Sequence, residues 1–215
     1  MADVNPTLAA ISDTYTDWLA THGADSSRGV GWHDPLMQAL RFDVLALVME
    51  GAEPVAVADF GCGTGALFDR LAARTEPPPL GGYTGYDLVP AMVETARDRH
   101  TDPRARFEVG SAVTEDHDYV LASGAFTIRP GIDDDVWEAH LHEVIGGLWA
   151  RARRGIAFNI MIRTPTPAEP HVYTGDPEAW AVWCSQNLSG ARVALRMGPP
   201  LDDFTVLVRR APSGE

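Results

Sequence analysis

Lysine is absent from this chain of 215 residues, so all 17 of its basic residues are arginines. The 30 acidic residues exceed them and leave a formal net charge of −13. A surface this acidic repels a phosphate backbone. The composition therefore argues against nucleic acid as a partner.

Cysteine and long hydrophobic runs are also scarce. The two cysteines, Cys62 and Cys184, form neither a metal-binding pattern nor a disulfide framework, which is typical of the reducing cytoplasm where we expect the protein. No apolar run approaches the ~20 residues that span a bilayer, and the first residues lack the features of a signal peptide. We expect no membrane contact and no bound metal, while the oligomeric state stays open.

The length suits one domain with a sizeable core. Residues 1–50 carry two helical patterns, the second predicted over Pro35–Glu50, and we expect them to form a helical lid. Over residues 51–210 strand and helix patterns alternate, which predicts a parallel sheet with helices on both faces. The last two predicted strands, 192–196 and 204–208, are too close for a crossover helix, so we expect an antiparallel hairpin.

A glycine lies at the junction between the predicted long helix and the fifth strand. Helical spacing extends from Asp135 to Arg153, and Gly155 follows it. Because glycine commonly terminates helices, we predict that Gly155 ends this helix and that the fifth strand begins at Ile156. Together with the hairpin, this strand completes a sheet of seven strands.

The strongest functional signal is a strand that runs directly into glycines. Asp59 lies near the end of a short apolar strand, and Gly61, Cys62, Gly63 and Gly65 follow before the next helix. Glycines permit a tight turn and let a ligand lie against bare main chain. The opening amides of the helix point at that ligand. The segment therefore predicts a nucleotide-type binding loop.

Two further loops belong to the same predicted edge of the sheet. Asp87 ends the second strand, where a carboxylate can accept hydrogen bonds from both hydroxyls of a ribose. Ser111 and Ala112 follow the third strand, and the Ser111 hydroxyl is suited to the amino group of a base. Ser123 and Phe126 follow the fourth strand and are expected to line the site of reaction.

These motifs resemble a known family. The segment Asp59-Phe60-Gly61-Cys62-Gly63-Thr64-Gly65 resembles motif I of class I S-adenosylmethionine (SAM)-dependent methyltransferases. The segment Tyr86-Asp87-Leu88-Val89-Pro90-Ala91-Met92 is similar to the second motif of that family. The resemblance covers roughly residues 50–210 and implies a Rossmann-like, seven-stranded mixed α/β sheet with a C-terminal hairpin.

The resemblance also implies an activity, which is transfer of the SAM methyl group to an O or N atom and less readily to a C atom. Other segments, among them Gly155-Ile156-Ala157-Phe158-Asn159, resemble a bacterial subgroup that acts on small molecules. A metabolite or natural-product intermediate is therefore the expected acceptor. Members of the subgroup usually carry Asn where this chain has Thr127.

Residues expected to contact the cofactor come from the three loops, the fourth strand and the N-terminal helices. Arg41 is the candidate to grip the SAM carboxylate with its guanidinium fork, and Tyr15 and Trp32 are candidates to cover the cofactor. The full predicted set is Tyr15, Arg41, Asp59, Gly61, Cys62, Gly63, Gly65, Asp87, Leu88, Met92, Ser111, Ala112 and Ser123.

Histidines are the best candidates for a base that works near neutral pH. His33 precedes the sheet domain and His171 follows the fifth strand, so both lie in loops that can approach the active edge. His142 lies on the long helix, where His140 points to a different side. We take His33, His171 and His142 as the catalytic candidates.

Two alternatives remain at this point. The spacing Gly61-x-Gly63-x-x-Ala66, with Asp87 as the ribose acid, also fits a nicotinamide-dependent oxidoreductase. The terminal hairpin argues against it, and the absence of lysine excludes the Tyr-x-x-x-Lys pair of one large dehydrogenase family. A SAM-binding protein without catalysis is the second alternative, because no base is obvious.

Overall fold

The computed structural model describes residues 6–23, 34–129, 131–164 and 169–211. The helices within these ranges are Pro6–His22 (α1), Pro35–Ala46 (α2), Ala66–Ala72 (α3), Pro90–Arg99 (α4), Asp134–Arg151 (α5) and Pro177–Asn187 (α6). The strands are Val55–Phe60 (β1), Leu80–Asp87 (β2), Ala105–Val109 (β3), His117–Ala122 (β4), Ala152–Ile162 (β5), Thr174–Gly175 (β6), Ala191–Met197 (β7) and Asp203–Arg210 (β8). None of the helices described here is both long and apolar enough to cross a membrane.

The strands form one sheet in the order β3-β2-β1-β4-β5-β8-β7, with the short β6 beside the end of β5. Strands β1 to β5 run parallel, whereas β8 is antiparallel to both β5 and β7. This topology confirms the predicted Rossmann-like sheet and its terminal hairpin. Strand β6 was not predicted, because two residues are too few to carry a periodic pattern.

Helices cover both faces of the sheet. On one face, α2, α3 and α4 bury Phe42, Leu67 and Val93 against the strands. On the other face, α5 and α6 bury Trp137 and Trp180. Buried strand residues alternate between the two faces, as the pleat of a strand requires. The sheet is therefore the middle layer of a three-layer core.

Gly155 has a different role from the predicted helix stop. Helix α5 ends at Arg151, and β5 begins at the next residue, so Gly155 lies inside the strand opposite Arg209. A Cβ atom at Gly155 would lie 2.6 Å from the Val208 carbonyl oxygen. The glycine therefore allows two strands to approach closely. The pairing of β5 with its neighbours overrides the local preference for a glycine after a helix.

The close approach at Gly155 predicts that Gly155→Ala destabilises the protein by roughly 1–3 kcal/mol, since the neighbouring atom belongs to the backbone and must shift. Gly147→Ala is the matched control on α5. An added Cβ meets nothing within 4 Å there, so the better helix former should stabilise by roughly 0.5–1 kcal/mol. Urea unfolding of both variants measures the two changes, and equal values would contradict this account of Gly155.

Candidate cofactor-binding site

A cavity opens at the edge where the parallel strands end. Its empty volume is about 1100 Å³ when the open mouth is included. The loops after β1, β2, β3 and β4 line it, together with residues of α1, α2 and α5. Ligands of open α/β sheets bind at this edge, because the loops after neighbouring parallel strands converge there.

The loop after β1 folds tightly through its glycines. Gly61, Gly63 and Gly65 have φ angles of 75°, 53° and 89°, a region that side chains rarely allow. Gly61, Cys62 and Gly63 line the cavity. Gly65 instead caps the start of α3, where an added Cβ would lie 2.6 Å from the His100 ring. The structure therefore does not support contact of Gly65 with the cofactor and gives it a packing role.

Asp87 joins the loops after β1 and β2. One of its carboxylate oxygens accepts a hydrogen bond from the Gly63 amide at 2.8 Å, and the other accepts one from the Val89 amide at 2.9 Å. Burial raises the pKa of Asp87, and these amide bonds oppose the rise. Each oxygen has a further lone pair, and Asp87 lines the cavity, so the carboxylate can still receive two hydroxyl donors.

Asp59 lies beneath the glycine loop and is only 2% exposed. The Tyr83 hydroxyl donates a hydrogen bond to it at 2.5 Å. Burial raises the pKa of Asp59 to about 7; the bond from Tyr83 lowers it and the charge of Asp87 raises it. Asp59 and Asp87 both line the cavity, and no arginine of the described residues does. The resulting negative potential favours a cationic ligand such as a sulfonium.

Most of the remaining predicted cofactor residues also line this cavity. Tyr15, Leu88, Met92, Ser111 and Ser123 are among its lining residues. The Ser123 hydroxyl oxygen is buried, and it has no hydrogen-bond partner among the described residues. A buried hydroxyl without a partner is costly, so this atom is suited to a ligand that donates a hydrogen bond.

Ala112 is exposed and does not line the cavity, contrary to its prediction. It follows Ser111 directly, so the chain turns away from the site within one residue. The contact predicted for the third loop therefore reduces to Ser111 and the neighbouring Gly110.

Arg41 was predicted to bind the SAM carboxylate, but it does not line the cavity. Its Nε atom donates to Asp203 at 2.6 Å, and its Nη2 atom donates to Asp202 at 2.5 Å. It is 6% exposed and does not line the cavity. The guanidinium fork thus joins α2 to the start of β8. The sequence suggested that the carboxylate of SAM would pair with Arg41. In the structure, two carboxylates of the chain itself, distant in sequence, take that place.

The Arg41 ion pair also supports the loop after β4. Asp203 accepts a hydrogen bond from the side-chain NH₂ group of Asn159. The side-chain oxygen of Asn159, Oδ1, accepts one from the backbone amide of Gly124 at 2.9 Å. Gly124 lines the cavity. A chain of contacts therefore runs from α2 through β8 and β5 to the site.

Neither His142 nor His171, two of the three predicted catalytic histidines, lines the cavity. His142 stacks on Trp183 with ring centroids 4.1 Å apart, on the side of α5 that faces α6. His171 is exposed in the loop before β6 and does not line the cavity. His33, together with Trp32, lies outside the described residues. The rotation of α5 about its axis turns His142 away from the cavity, and this rotation is set by packing.

His140 and Gln38 are among the cavity-lining residues that were not predicted as site residues. His140 shares a face of α5 with Trp137, Leu141 and Val144, at a spacing of three, four and seven residues from Trp137. This spacing puts His140 on an apolar face of the helix, but it does not show that this face borders the cavity. Gln38 lines the cavity from α2, one turn before Arg41, and carried no comparable signal. Among the described residues, no group of three or more His, Cys, Asp or Glu side chains is arranged to hold a metal ion.

Sequence similarity relates the chain to known methyltransferases. A family model described as "Methyltransferase domain" matches residues 57–146. The protein "Putative methyltransferase Rv1506c" of Mycobacterium tuberculosis is 35% identical over 167 residues, which cover 76% of this chain and 98% of that protein.

Solved structures share the fold. Magnesium protoporphyrin IX methyltransferase from Synechocystis PCC 6803, with S-adenosylhomocysteine bound, is similar with a TM-score of 0.69 and 15% identity. That match covers 95% of this chain and all of the other. The pyocyanin biosynthetic protein PhzM is similar with a TM-score of 0.63 and 16% identity, over 92% of this chain and 62% of that protein.

The buried Asp59 predicts a specific pH dependence of stability. Its pKa is raised from 3.8 to about 7 on folding, so between these values the native state binds more protons than the unfolded state. The associated stability is present below about pH 4 and is lost as the pH rises through about 7. Between about pH 4 and pH 7, the unfolding free energy of the wild type should fall, relative to that of Asp59→Asn, by up to roughly 1.4 kcal/mol per pH unit. Urea unfolding of both proteins across this window measures the difference, and parallel pH dependences would refute it.

Proposed function

The chain belongs to the class I SAM-dependent methyltransferases, and from this membership we propose that it methylates an oxygen or nitrogen atom of a small-molecule metabolite or natural-product intermediate. Family membership favours methyl transfer over the nicotinamide oxidoreductase that the glycine spacing also allows. It likewise favours an enzyme over a SAM-binding protein without catalysis.

The observation that carries this proposal is the division of the cavity into two parts. The sheet edge provides carboxylates and bare main chain, whereas α1 and α5 provide mostly apolar side chains. The first part suits the donor and the second suits a compact acceptor enclosed by the protein. Two enzymes with a similar fold carry names that refer to small molecules, namely pyocyanin biosynthesis and mitomycin 7-O-methylation. The net charge of −13 also disfavours a nucleic acid acceptor.

In the proposed binding mode, Asp87 accepts hydrogen bonds from the two ribose hydroxyls. The backbone of Gly61, Cys62 and Gly63 lies along the nucleoside. Leu88 and Met92 pack on the adenine and Ser111 faces its amino group. Each of these residues lines the cavity, which is what supports the assignment. When bound, SAM supplies a methyl carbon on a positively charged sulfur.

The amino acid end of SAM needs different partners. Asp59 and the Ser123 hydroxyl are proposed to hold its ammonium group, since a buried carboxylate and an unpartnered hydroxyl both accept hydrogen bonds. The side-chain amide of Gln38 is proposed to donate to its carboxylate in place of Arg41, which is held by Asp202 and Asp203.

We also narrow the proposed lid from residues 1–50 to α1. Helix α2 packs Phe42 and Leu45 into the core against the sheet, although Gln38 and Phe42 also line the cavity. Helix α1 contributes Leu8, Ile11 and Tyr15 to the cavity wall. A helix over the site would exclude water from the reacting groups. The free, buried thiols of Cys62 and Cys184 support the proposed cytoplasmic location.

Replacement of Asp87 tests the donor assignment. Asp87→Ala removes both proposed ribose acceptors and should weaken S-adenosylhomocysteine binding about 10- to 100-fold, the effect of losing hydrogen bonds to a charged group. Asp98→Ala, which removes an exposed carboxylate on α4, should bind normally. Isothermal titration calorimetry measures both affinities. Asp87→Asn, monitored for its melting temperature, separates lost binding from a disturbed loop, and wild-type affinity in both Asp87 variants would end the assignment.

Replacement of Gln38 tests the carboxylate assignment. Gln38→Ala should weaken S-adenosylhomocysteine binding about tenfold, because a hydrogen bond to a charged group is lost. Binding of 5′-methylthioadenosine should not change, since that nucleoside lacks the amino acid end. Calorimetry with both ligands gives the comparison, and an equal loss for both would point to a general disturbance of the site.

A further inference from the structure

The cavity extends from the sheet edge into a space between two helices. Helix α1 presents Leu8, Ile11 and Tyr15 to this space, at helical spacings of three and four residues. Helix α5 contributes Trp137, His140, Leu141 and Val144 to the lining of the same cavity. Both faces are apolar except for the Tyr15 hydroxyl, the His140 imidazole and the Trp137 ring nitrogen. An acceptor held between them would meet few polar groups.

The Trp137 ring nitrogen is already used. It donates to the Phe126 carbonyl oxygen at 3.2 Å and so fastens α5 to the loop after β4. The His140 ring lies next to it, with ring centroids 5.5 Å apart. His140 makes this ring contact but no hydrogen bond within the described residues. Its ring nitrogens therefore stay available beside the loop that lines the proposed transfer site.

The other titratable groups of the cavity either have other partners or stay protonated at neutral pH, and the carboxylate of Asp59 is already assigned to the SAM ammonium group. Both oxygens of Asp87 bind backbone amides, and Asp59 binds the Tyr83 hydroxyl. Burial raises the pKa values of Tyr15 and Cys62, so both stay protonated. Among the lining residues that the structure describes, an imidazole is the remaining candidate.

Burial lowers the pKa of His140 below its ordinary value of 6.5, and the negative charge of Glu143 opposes this only in part. At neutral pH the imidazole is therefore uncharged and can accept a proton. Tyr15 of α1 and Asp59 and Asp87 of the sheet edge line the same cavity as His140. These acidic groups bring no positive charge that would prevent its protonation during the reaction.

We infer that the acceptor is a weakly acidic hydroxyl, as in a phenol, carried on an apolar ring skeleton, and that His140 takes the proton from this hydroxyl. The inference rests on the proposed function and adds the acceptor class and the base. As the oxygen–methyl bond forms, the methyl–sulfur bond breaks and its electron pair stays on sulfur. The hydroxyl proton moves to a His140 ring nitrogen and later leaves to solvent.

The acidity of the hydroxyl follows from the strength of the base. A phenol has a pKa of about 10, as in tyrosine, so a neutral imidazole can share its proton as the oxygen is methylated. An aliphatic alcohol is far less acidic and would need a stronger base. An amine is nucleophilic without losing a proton first, so it would not require His140. The apolar helix faces favour a ring skeleton over a charged or sugar-like acceptor.

A binding experiment tests the proton transfer without turnover. The probe is 4-nitrophenol, whose phenol and phenolate forms absorb differently, added to the protein saturated with S-adenosylhomocysteine. In the wild type, a His140 imidazolium stabilises bound phenolate. In His140→Gln the apolar walls and carboxylates disfavour it, so the ionisation midpoint of the bound probe should rise by about one pH unit, or tenfold in ionisation constant. His142→Gln is the matched control and should behave as the wild type.

A turnover experiment tests the acceptor class with 2-naphthol, 2-naphthylamine and cyclohexanol. Methyl transfer should be fastest to 2-naphthol, and His140→Gln should lower its kcat about 100- to 10,000-fold, while S-adenosylhomocysteine affinity stays unchanged. The kcat of the wild type should rise with pH to a plateau whose midpoint lies below 6.5. In the variant that midpoint should be lost.

The outcomes separate this inference from the proposed function. Failure of the wild type to bind 4-nitrophenol, or an unchanged midpoint in His140→Gln, would overturn the role of His140. Faster transfer to 2-naphthylamine or cyclohexanol would overturn the phenolic class and leave methyltransferase activity intact. Loss of S-adenosylhomocysteine binding by the wild type itself would instead refute the donor site on which the inference rests.

Discussion

The carboxylate of Asp87 holds the two halves of the cofactor edge together. It accepts one hydrogen bond from the Gly63 amide in the loop after β1 and another from the Val89 amide at the start of α4. Strands β1 and β2 are direct neighbours in parallel register, so these loops emerge side by side. A buried carboxylate must have hydrogen-bond partners, and here two backbone amides provide them. The shape of the glycine loop depends on this contact.

A second set of contacts supports the opposite end of the edge. Arg41, Asp203 and Asn159 connect α2, β8 and β5 to the Gly124 amide after β4. The terminal hairpin thus has a function beyond closing the sheet, since it holds the loop that faces the proposed acceptor. Removal of one partner from such a buried ion pair leaves an uncompensated charge and is strongly destabilising.

Much of the fold was predictable because its signals are local. The bounds of β1 agree with its apolar pattern, and the short spacing between β7 and β8 required a hairpin. Most of the predicted residues that line the cavity lie at the ends of strands or in the loops that follow them, where sequence order dictates position, and Tyr15 on α1 is an exception. The predictions that differed, Arg41 and Gly65 among them, concern side chains whose partners lie far along the chain.

The sequence by itself determined the alternation of strands and helices, the glycine loop and the acidic residue one strand over, because each arises from the local preferences of neighbouring residues. Only the tertiary structure decided that His140 rather than His142 faces the cavity and that Gln38 rather than Arg41 does. The physical reason is rotational: packing against the sheet and α6 sets how each helix turns about its axis, and that turn selects which side chains reach the site.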